Sequence, residues 1–263
     1  MAKRIFSLLR IIGTIKGITY YMLKGKYVAR KANPPDREKI YNDPRFVTVK
    51  ANCLEFGGAS VLSKAICKGL KENVKIFKDS YFTSRLTGIC RIIIQKGRGP
   101  NGTREADLFS LPQALIGFQL NKRKIFNQIY TAQPTVSINK FRNIINIKIV
   151  NSAGTDLKMN PKSATHFRLT AAISVVSAHK WHPGTQKYQP TNKAYNAIGA
   201  TIHSSMLLCK IDHPEINLEL IAPKKIHKKV AISVWLGIQF GKEENNFNKP
   251  FLSTKAMECI AIL

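Results

Sequence analysis

Near Gly117 the apolar residues change from helical spacing to the spacing of a half-buried strand. A chain that carries both periods must pack helices against sheet. Upstream, Phe46, Val49, Cys53, Gly57, Val61, Ala65 and residues 67–70 recur at near-helical intervals. Asn42-Asp43-Pro44 starts that helix, with Asp43 as its cap and Pro44 in the first turn, where a missing N–H is harmless. Gly57-Gly58 marks close packing or a kink. A second helix is predicted over 79–95, with Phe82, Leu86, Ile89, Cys90 and Ile93 on one face. Ahead of both, residues 15–31 place β-branched and aromatic residues on either side of Lys24-Gly25, which predicts a β-hairpin stopped by Asn33-Pro34-Pro35-Asp36. Downstream, eight short runs at 117–121, 135–139, 143–150, 165–177, 194–204, 217–222, 230–240 and 256–263 predict antiparallel strands. The expected fold is α+β: an amino-terminal β-hairpin and two helices packed with a carboxy-terminal antiparallel β-sandwich. The expected domains are a basic hairpin plus helical region over 1–114 and a β-sandwich over 115–263.

Charge then limits the kind of partner. The 263 residues hold 42 Lys+Arg against 15 Asp+Glu, a formal +27, yet 44% of them are hydrophobic. A disordered basic tail lacks that apolar content, so the chain is expected to bury a core. Residues 1–104 carry 22 basic and 6 acidic side chains, and 105–263 carry 20 and 9, so the front is the denser part. No apolar window is long enough for a membrane-spanning helix. The opening residues imitate a signal peptide, but Arg10 interrupts the apolar run. Ile5, Phe6, Leu8 and Leu9 would be the inserting residues if the charges met an anionic membrane, although the segment is short. Five cysteines, odd in number and without a C-x-x-C pair, fit a reduced, cytoplasmic setting.

Catalytic patterns are weak. Gly97-Arg98-Gly99-Pro100-Asn101-Gly102 spells G-x-G-x-x-G, but a dinucleotide site needs an acidic residue about 20 positions on. That region reads Lys122-Arg123-Lys124, with no Asp or Glu between Asp107 and Asp156. His179 and His182, or His203, Cys209 and His213, each fall short of a zinc ligand set. Trp181 is expected to be an exposed aromatic at a contact surface, and Cys53, Cys67 and Cys90 to be small core residues. Glu243-Glu244 fits a solvated hairpin tip, and Glu55 an ion-pair partner rather than a general base. The chain is therefore expected to be no enzyme and to need no cofactor or metal.

Several segments carry a resemblance. Gly13-Thr14-Ile15 leading into Tyr20-Tyr21, Tyr27-Val28-Ala29-Arg30, Asn42-Asp43-Pro44-Arg45-Phe46 and Asn52-x-x-Glu55-Phe56-Gly57 resemble a family of uncharacterised Bacteroidetes proteins. So do Ser84-Arg85-Leu86-Thr87, the stretch 164–169 and Leu236-Gly237-Ile238-Gln239-Phe240. The resemblance implies the hairpin, the Asn-Asp-Pro helix start and the sandwich; it implies no activity, and this chain is far more positive than the family members.

The residues themselves point to polyanions. No acidic side chain occurs in the first 31 residues, where tyrosines interleave with lysines and arginines. Cations neutralise phosphates and aromatic faces stack on unpaired bases. The expected contacts with nucleic acid, non-specific in sequence, are Lys16, Tyr20, Lys24, Lys26, Tyr27, Arg30 and Lys31, with Lys96, Arg98 and Arg104 in the glycine-rich loop. The alternative is a structural protomer of a phage-like or secretion-related particle, using hairpin and sandwich for homo-oligomer or other protein contacts.

Overall fold

The computed structural model describes residues 3–4, 11–32, 36–242 and 254–263. The Asn33-Pro34-Pro35 stop, the Glu243-Glu244 tip, Arg10 and the apolar residues of the 5–9 segment lie outside the described residues. The chain divides into two compact units, Met1–Lys50 and Ala51–Leu263.

In the first unit, β1 (Lys3–Arg4), β2 (Gly13–Ile15), β3 (Ile18–Leu23) and β4 (Lys26–Lys31) form an antiparallel sheet in the order β1-β4-β3-β2. Two Lys-Gly turns build it. Lys24 and Gly25 have φ of 51° and 74°, and Lys16 and Gly17 have 46° and 75°. A two-residue turn with φ positive at both positions matches the right-handed twist of the strands it joins. The expected hairpin is thus three consecutive strands plus the short β1. Helix α1 (Arg37–Asn42) follows, its cap Asp36 accepting the Lys39 N–H at 2.7 Å. Asp43 accepts the Arg45 N–H at 2.9 Å and starts a 3₁₀ turn over Pro44–Phe46, which runs into α2 (Val47–Leu70).

The second unit holds α3 (Glu72–Phe77), α4 (Phe82–Gln95), α5 (Phe126–Ile129), β5 (Thr135–Ile138), β6 (Ile144–Ser152), β7 (His166–Val176), β8 (His179–His182), β9 (Lys187–Pro190), β10 (Ile198–His203), β11 (Leu207–Leu208), β12 (His213–Ile221), β13 (Ala231–Gly241) and β14 (Lys255–Ile262). A sheet ordered β10-β7-β13-β14, with β11 also on β7, forms the middle layer; β12-β6-β5 covers one face and the helices the other. All its pairings are antiparallel. On β13, Ile232, Val234, Leu236, Ile238 and Phe240 meet Ile145, Ile147, Ile149, Leu218 and Leu220 of the covering sheet. Ala231 and Trp235 turn to the helical side, where Leu62, Ile66, Phe82, Leu86, Cys90 and Ile93 pack. The Trp235 indole N–H donates to Ser233 Oγ at 2.9 Å, and Ser233 Oγ donates to the Ser174 carbonyl at 3.0 Å, so the indole and the Ser233 hydroxyl are satisfied there.

Seven of the eight expected strand runs contain strands of the structure. The eighth, 117–121, is not one: Gly117 at φ +82° interrupts it, and it follows the outer edge of β14 through Gly117 N–H to the Cys259 carbonyl at 2.8 Å and Leu120 N–H to the Met257 carbonyl at 2.9 Å. It shields an edge that would otherwise be open. The hairpin β8-β9 was not expected from its polar sequence.

Helix α2 buries Ala65, Gly69 and Leu70 of the expected stripe, but ahead of them its inner face differs. Ala51, Glu55, Gly58, Ala59, Leu62, Ile66 and Gly69 face inward, while Val49, Cys53, Gly57 and Val61 are exposed. Small residues win the inner face because the helix approaches at backbone distance. A Cβ on Gly58 would lie 2.8 Å from the Tyr188 ring, and one on Gly199 would lie 1.7 Å from the Gly69 carbonyl oxygen. Cys53 is therefore an exposed thiol rather than a core residue, whereas Cys90 is buried and Cys67 half-buried.

These contacts predict opposite outcomes for two similar changes. Gly199→Ala drives a methyl into backbone that cannot retreat and should lower unfolding free energy by about 2–4 kcal/mol. Gly57→Ala meets nothing within 4 Å and should raise it by about 0.5–1 kcal/mol. Urea denaturation of both variants is the measurement.

Candidate nucleic-acid interface

Register assigns the amino-terminal residues to faces. Paired residues of an antiparallel sheet project on the same side. Tyr20 pairs with Ala29, Met22 with Tyr27 and Ile18 with Lys31, so Tyr20, Tyr27 and Lys31 share one face with Ile15, Ile18 and Met22. Both tyrosines are half-buried, and on diagonal positions their Cα atoms are spaced by about 7–8 Å or less. Arg30 and Lys26 occupy the opposite face with Tyr21, where the Arg30 guanidinium lies 5.7 Å from the Tyr21 ring centroid. Lys16 and Lys24 sit in the two turns at opposite ends of β3, separated by about 17 Å of strand. The structure thus brings Tyr20, Tyr27 and Lys31 together, brings Lys26 and Arg30 together behind them, and flanks both sets with exposed turn lysines.

The second unit carries Lys96, Arg98 and Arg104. Residues 91–95 lie in α4, so G-x-G-x-x-G follows a helix here, not the strand a dinucleotide fold requires. Its glycines serve close packing. A Cβ on Gly97 would meet the Glu105 carbonyl oxygen at 1.9 Å, and Gly102, at φ +94°, sits against Ala51. Lys96 and Arg98 are exposed. Arg104 is held inward: Nε and Nη2 donate to Glu55 Oε1 and Oε2 at 2.7 and 2.8 Å, Nη1 donates to the Gln95 carbonyl at 2.9 Å, and Nη2 to Asn101 Oδ1 at 3.1 Å. Glu55 is fully buried and also accepts the Gly102 N–H at 2.9 Å. Burial alone would raise its pKa, but Arg104, the Gly102 N–H and Arg91 outweigh that and hold the carboxyl below its ordinary range. Glu55 is the ion-pair partner expected, and it fastens the glycine-rich loop to α2. Tyr188 completes the clamp, its hydroxyl donating to the Arg104 carbonyl at 2.9 Å. Nothing in the spacing of Glu55, Arg104 and Tyr188 announces that arrangement; only the isolated acidic residue on a basic helix hints at it.

The histidines are scattered. His203 bonds to Thr170 at 2.9 Å, and His213 Nε2 lies 3.0 Å from the Leu208 carbonyl with its ring against Phe167. Among the described residues no three His, Cys, Asp or Glu side chains gather as a metal site. Trp181 is half-buried, edge-on to Tyr188 at 5.7 Å, so it supports the clamp rather than standing clear of the surface. His179 is fully buried, and among the described residues neither ring nitrogen meets a well-aligned hydrogen-bond partner. Burial pushes its pKa down to about 4, with the Ser177 backbone pulling weakly the other way.

Comparisons with protein-family models, curated proteins and solved structures found no match to the chain.

Two stability measurements follow. Arg104→Met strands the buried Glu55 carboxylate and should remove about 3–5 kcal/mol of stability at neutral pH. His179 is depressed from 6.5 to about 4. The unfolded chain therefore binds a proton that the folded chain refuses between those values, and stability must fall as pH drops through that window. The loss should reach about 3 kcal/mol near pH 4 and be absent above pH 7. Urea titrations of His179→Phe across the same range should lack that component.

Proposed function

We propose that the protein is a non-enzymatic, strongly basic protein that binds nucleic acid without sequence preference, with phosphates as the main contacts and unpaired bases stacking on the Tyr20–Tyr27 face. One observation carries this: two neighbouring tyrosines on one face of a small sheet, beside Lys31 and between the turn lysines Lys16 and Lys24. Among the described residues no cation lies over either half-buried ring. Stacking of this kind tolerates any sequence, because every base has a π-face. Lys26 and Arg30 add phosphate contacts from behind, and Lys96 and Arg98 add exposed charge on the second unit. Arg104 anchors its loop and contributes little directly. The non-enzymatic part of the proposal is supported by the commitment of acidic groups to structure, Glu55 to Arg104 and Asp79 to Arg85 at 3.1 Å. Five unpaired thiols support a reducing compartment, for which we propose the cytoplasm. No helix among the described residues is long and apolar enough to cross a membrane.

A second possibility, a protomer of an assembly, draws support from Ile15, Ile18 and Met22, which are exposed on the tyrosine face. Apolar side chains there would suit contact with another protein.

Fluorescence anisotropy with a labelled oligothymidylate separates the two. Tyr20→Ala and Tyr27→Ala should each weaken binding by about 1–3 kcal/mol. Replacing Lys24, Lys26, Arg30 and Lys31 by Gln should flatten the salt dependence of log K by up to about 3. Unchanged affinity in the double tyrosine variant would overturn the proposal. Concentration-dependent oligomers persisting after nuclease treatment would then favour assembly.

A further inference from the structure

The loop joining β12 to β13 reads Ala222-Pro223-Lys224-Lys225-Ile226-His227-Lys228-Lys229-Val230. Its apolar residues recur every fourth position, and all three enter the core between the sheets: Ala222, Ile226 and Val230 are only 3%, 6% and 4% exposed. The residues between them are exposed. Three anchors therefore pin the backbone at regular intervals and turn two lysine pairs outward. The β5-β6 turn holds the same loop from the side. Asn143 accepts the Ala222 N–H at 2.7 Å through its carbonyl, and Phe141 accepts the Ile226 N–H at 3.2 Å. Arg142, at φ +56°, donates from Nη1 to the His227 carbonyl at 2.6 Å and from Nη2 to the Val230 carbonyl at 3.1 Å. Two cations rest on rings, Lys225 Nζ 4.1 Å from the Phe141 centroid and Lys224 Nζ 4.8 Å from that of Tyr195.

Five positive charges are thus concentrated at one end of the sandwich. Segments 139–143, 192–196 and 222–230 contain no Asp or Glu, and among the described residues none of the five forms an ion pair. The core anchors would close this end of the sandwich whatever its charge; the guanidinium brace and the two ring contacts are what position the cations. Arg142, Lys224 and Lys225 are held in place, and cations so held lose less freedom on meeting a ligand, which favours binding. The rings at this end already carry ammonium groups, so the surface offers fixed charge rather than stacking platforms. That chemistry matches a duplex, whose bases are hidden in the stack and whose phosphates are displayed.

We propose that Arg142, Lys224, Lys225, Lys228 and Lys229 form a second nucleic-acid site, one that grips the phosphate backbone of a duplex independently of the tyrosine face. The test uses the full chain, a labelled mixed-sequence DNA duplex and the slope of log K against log salt. Replacing Lys224, Lys225, Lys228 and Lys229 by Gln should flatten that slope by about 3–4, and Arg at all four positions should restore it. Gln at Lys64, Lys68, Lys78 and Lys158, exposed lysines outside these three segments, removes the same charge and should change the slope far less. An unchanged slope in the loop variant, or an equal change in the control, would overturn the second site. Failure of the tyrosine face is read on a different probe, oligothymidylate with the Tyr20 and Tyr27 variants, so the two ideas fall separately.

Discussion

The central strands β7 and β13 of the second unit's middle sheet have almost no wet face, and most of the remaining structure answers to that constraint. These long strands are buried on both sides, so each side needs a cover with matching shape. The covering sheet supplies one through alternating side chains, Ile145, Ile147 and Ile149 opposite Leu218 and Leu220. The helices supply the other, and α2 does so at backbone distance, with Gly69 against Gly199 and Gly58 beneath Tyr188. Each fully buried large aliphatic side chain contributes about 1.5–3 kcal/mol. A displacement of α2 would uncover many of them at once. The glycines are therefore as important to this layer as the large residues.

The same approach explains the charge pair that Glu55 makes in the interior. With α2 drawn down, the loop after α4 must fold beneath it, and its polar backbone needs partners. Glu55 satisfies the Gly102 N–H and neutralises Arg104, and Arg104 satisfies the Gln95 carbonyl at the end of α4. A buried pair of this kind is weak evidence for net stability, because desolvation offsets most of the attraction. Its effect is on geometry: the bidentate contact fixes where the loop sits, and with it the direction of Lys96 and Arg98.

How far the sequence discloses this depends on how many faces each element shows to water. Strands β6 and β12 alternate cleanly because one side is solvated, and β7 and β13 read as continuous apolar runs because neither is. The inner stripe of α2 ahead of Ala65 was illegible. Apolar size marks an inner face only where side chains set the distance, and here Ala51, Gly58 and Ala59 set it while Val49 and Val61 face out. The β8-β9 hairpin was hidden because its outward residues are polar and its inward tyrosine packs on a helix, not a sheet. The Lys16-Gly17 turn was legible in principle, since it repeats the Lys24-Gly25 chemistry, but β-branched residues on both sides blend it into one strand. For the candidate site, residue type reveals charge and not commitment. Arg104 reads as a phosphate contact beside Arg98, yet one is locked to a buried carboxylate and the other is exposed.

Excluding charge from the two cores leaves the excess of cations at the margins, and the margins treat them in two ways. On the small sheet, among the described residues, the tyrosine rings of one face carry no cation, and Arg30, which covers the Tyr21 ring, lies on the opposite face. At the end of the sandwich the rings are occupied, Phe141 by Lys225 and Tyr195 by Lys224. An unoccupied ring offers a π-face to a flat ligand, and an occupied one offers a positioned charge to an anion. A chain whose excess of lysine came from composition alone would be expected to distribute its ring contacts without regard to place. The first unit has covered rings too, Tyr21 by Arg30 and Tyr41 by Lys50, so the contrast lies between the Tyr20–Tyr27 face and the 222–230 end, and it supports proposing different ligands for those two surfaces.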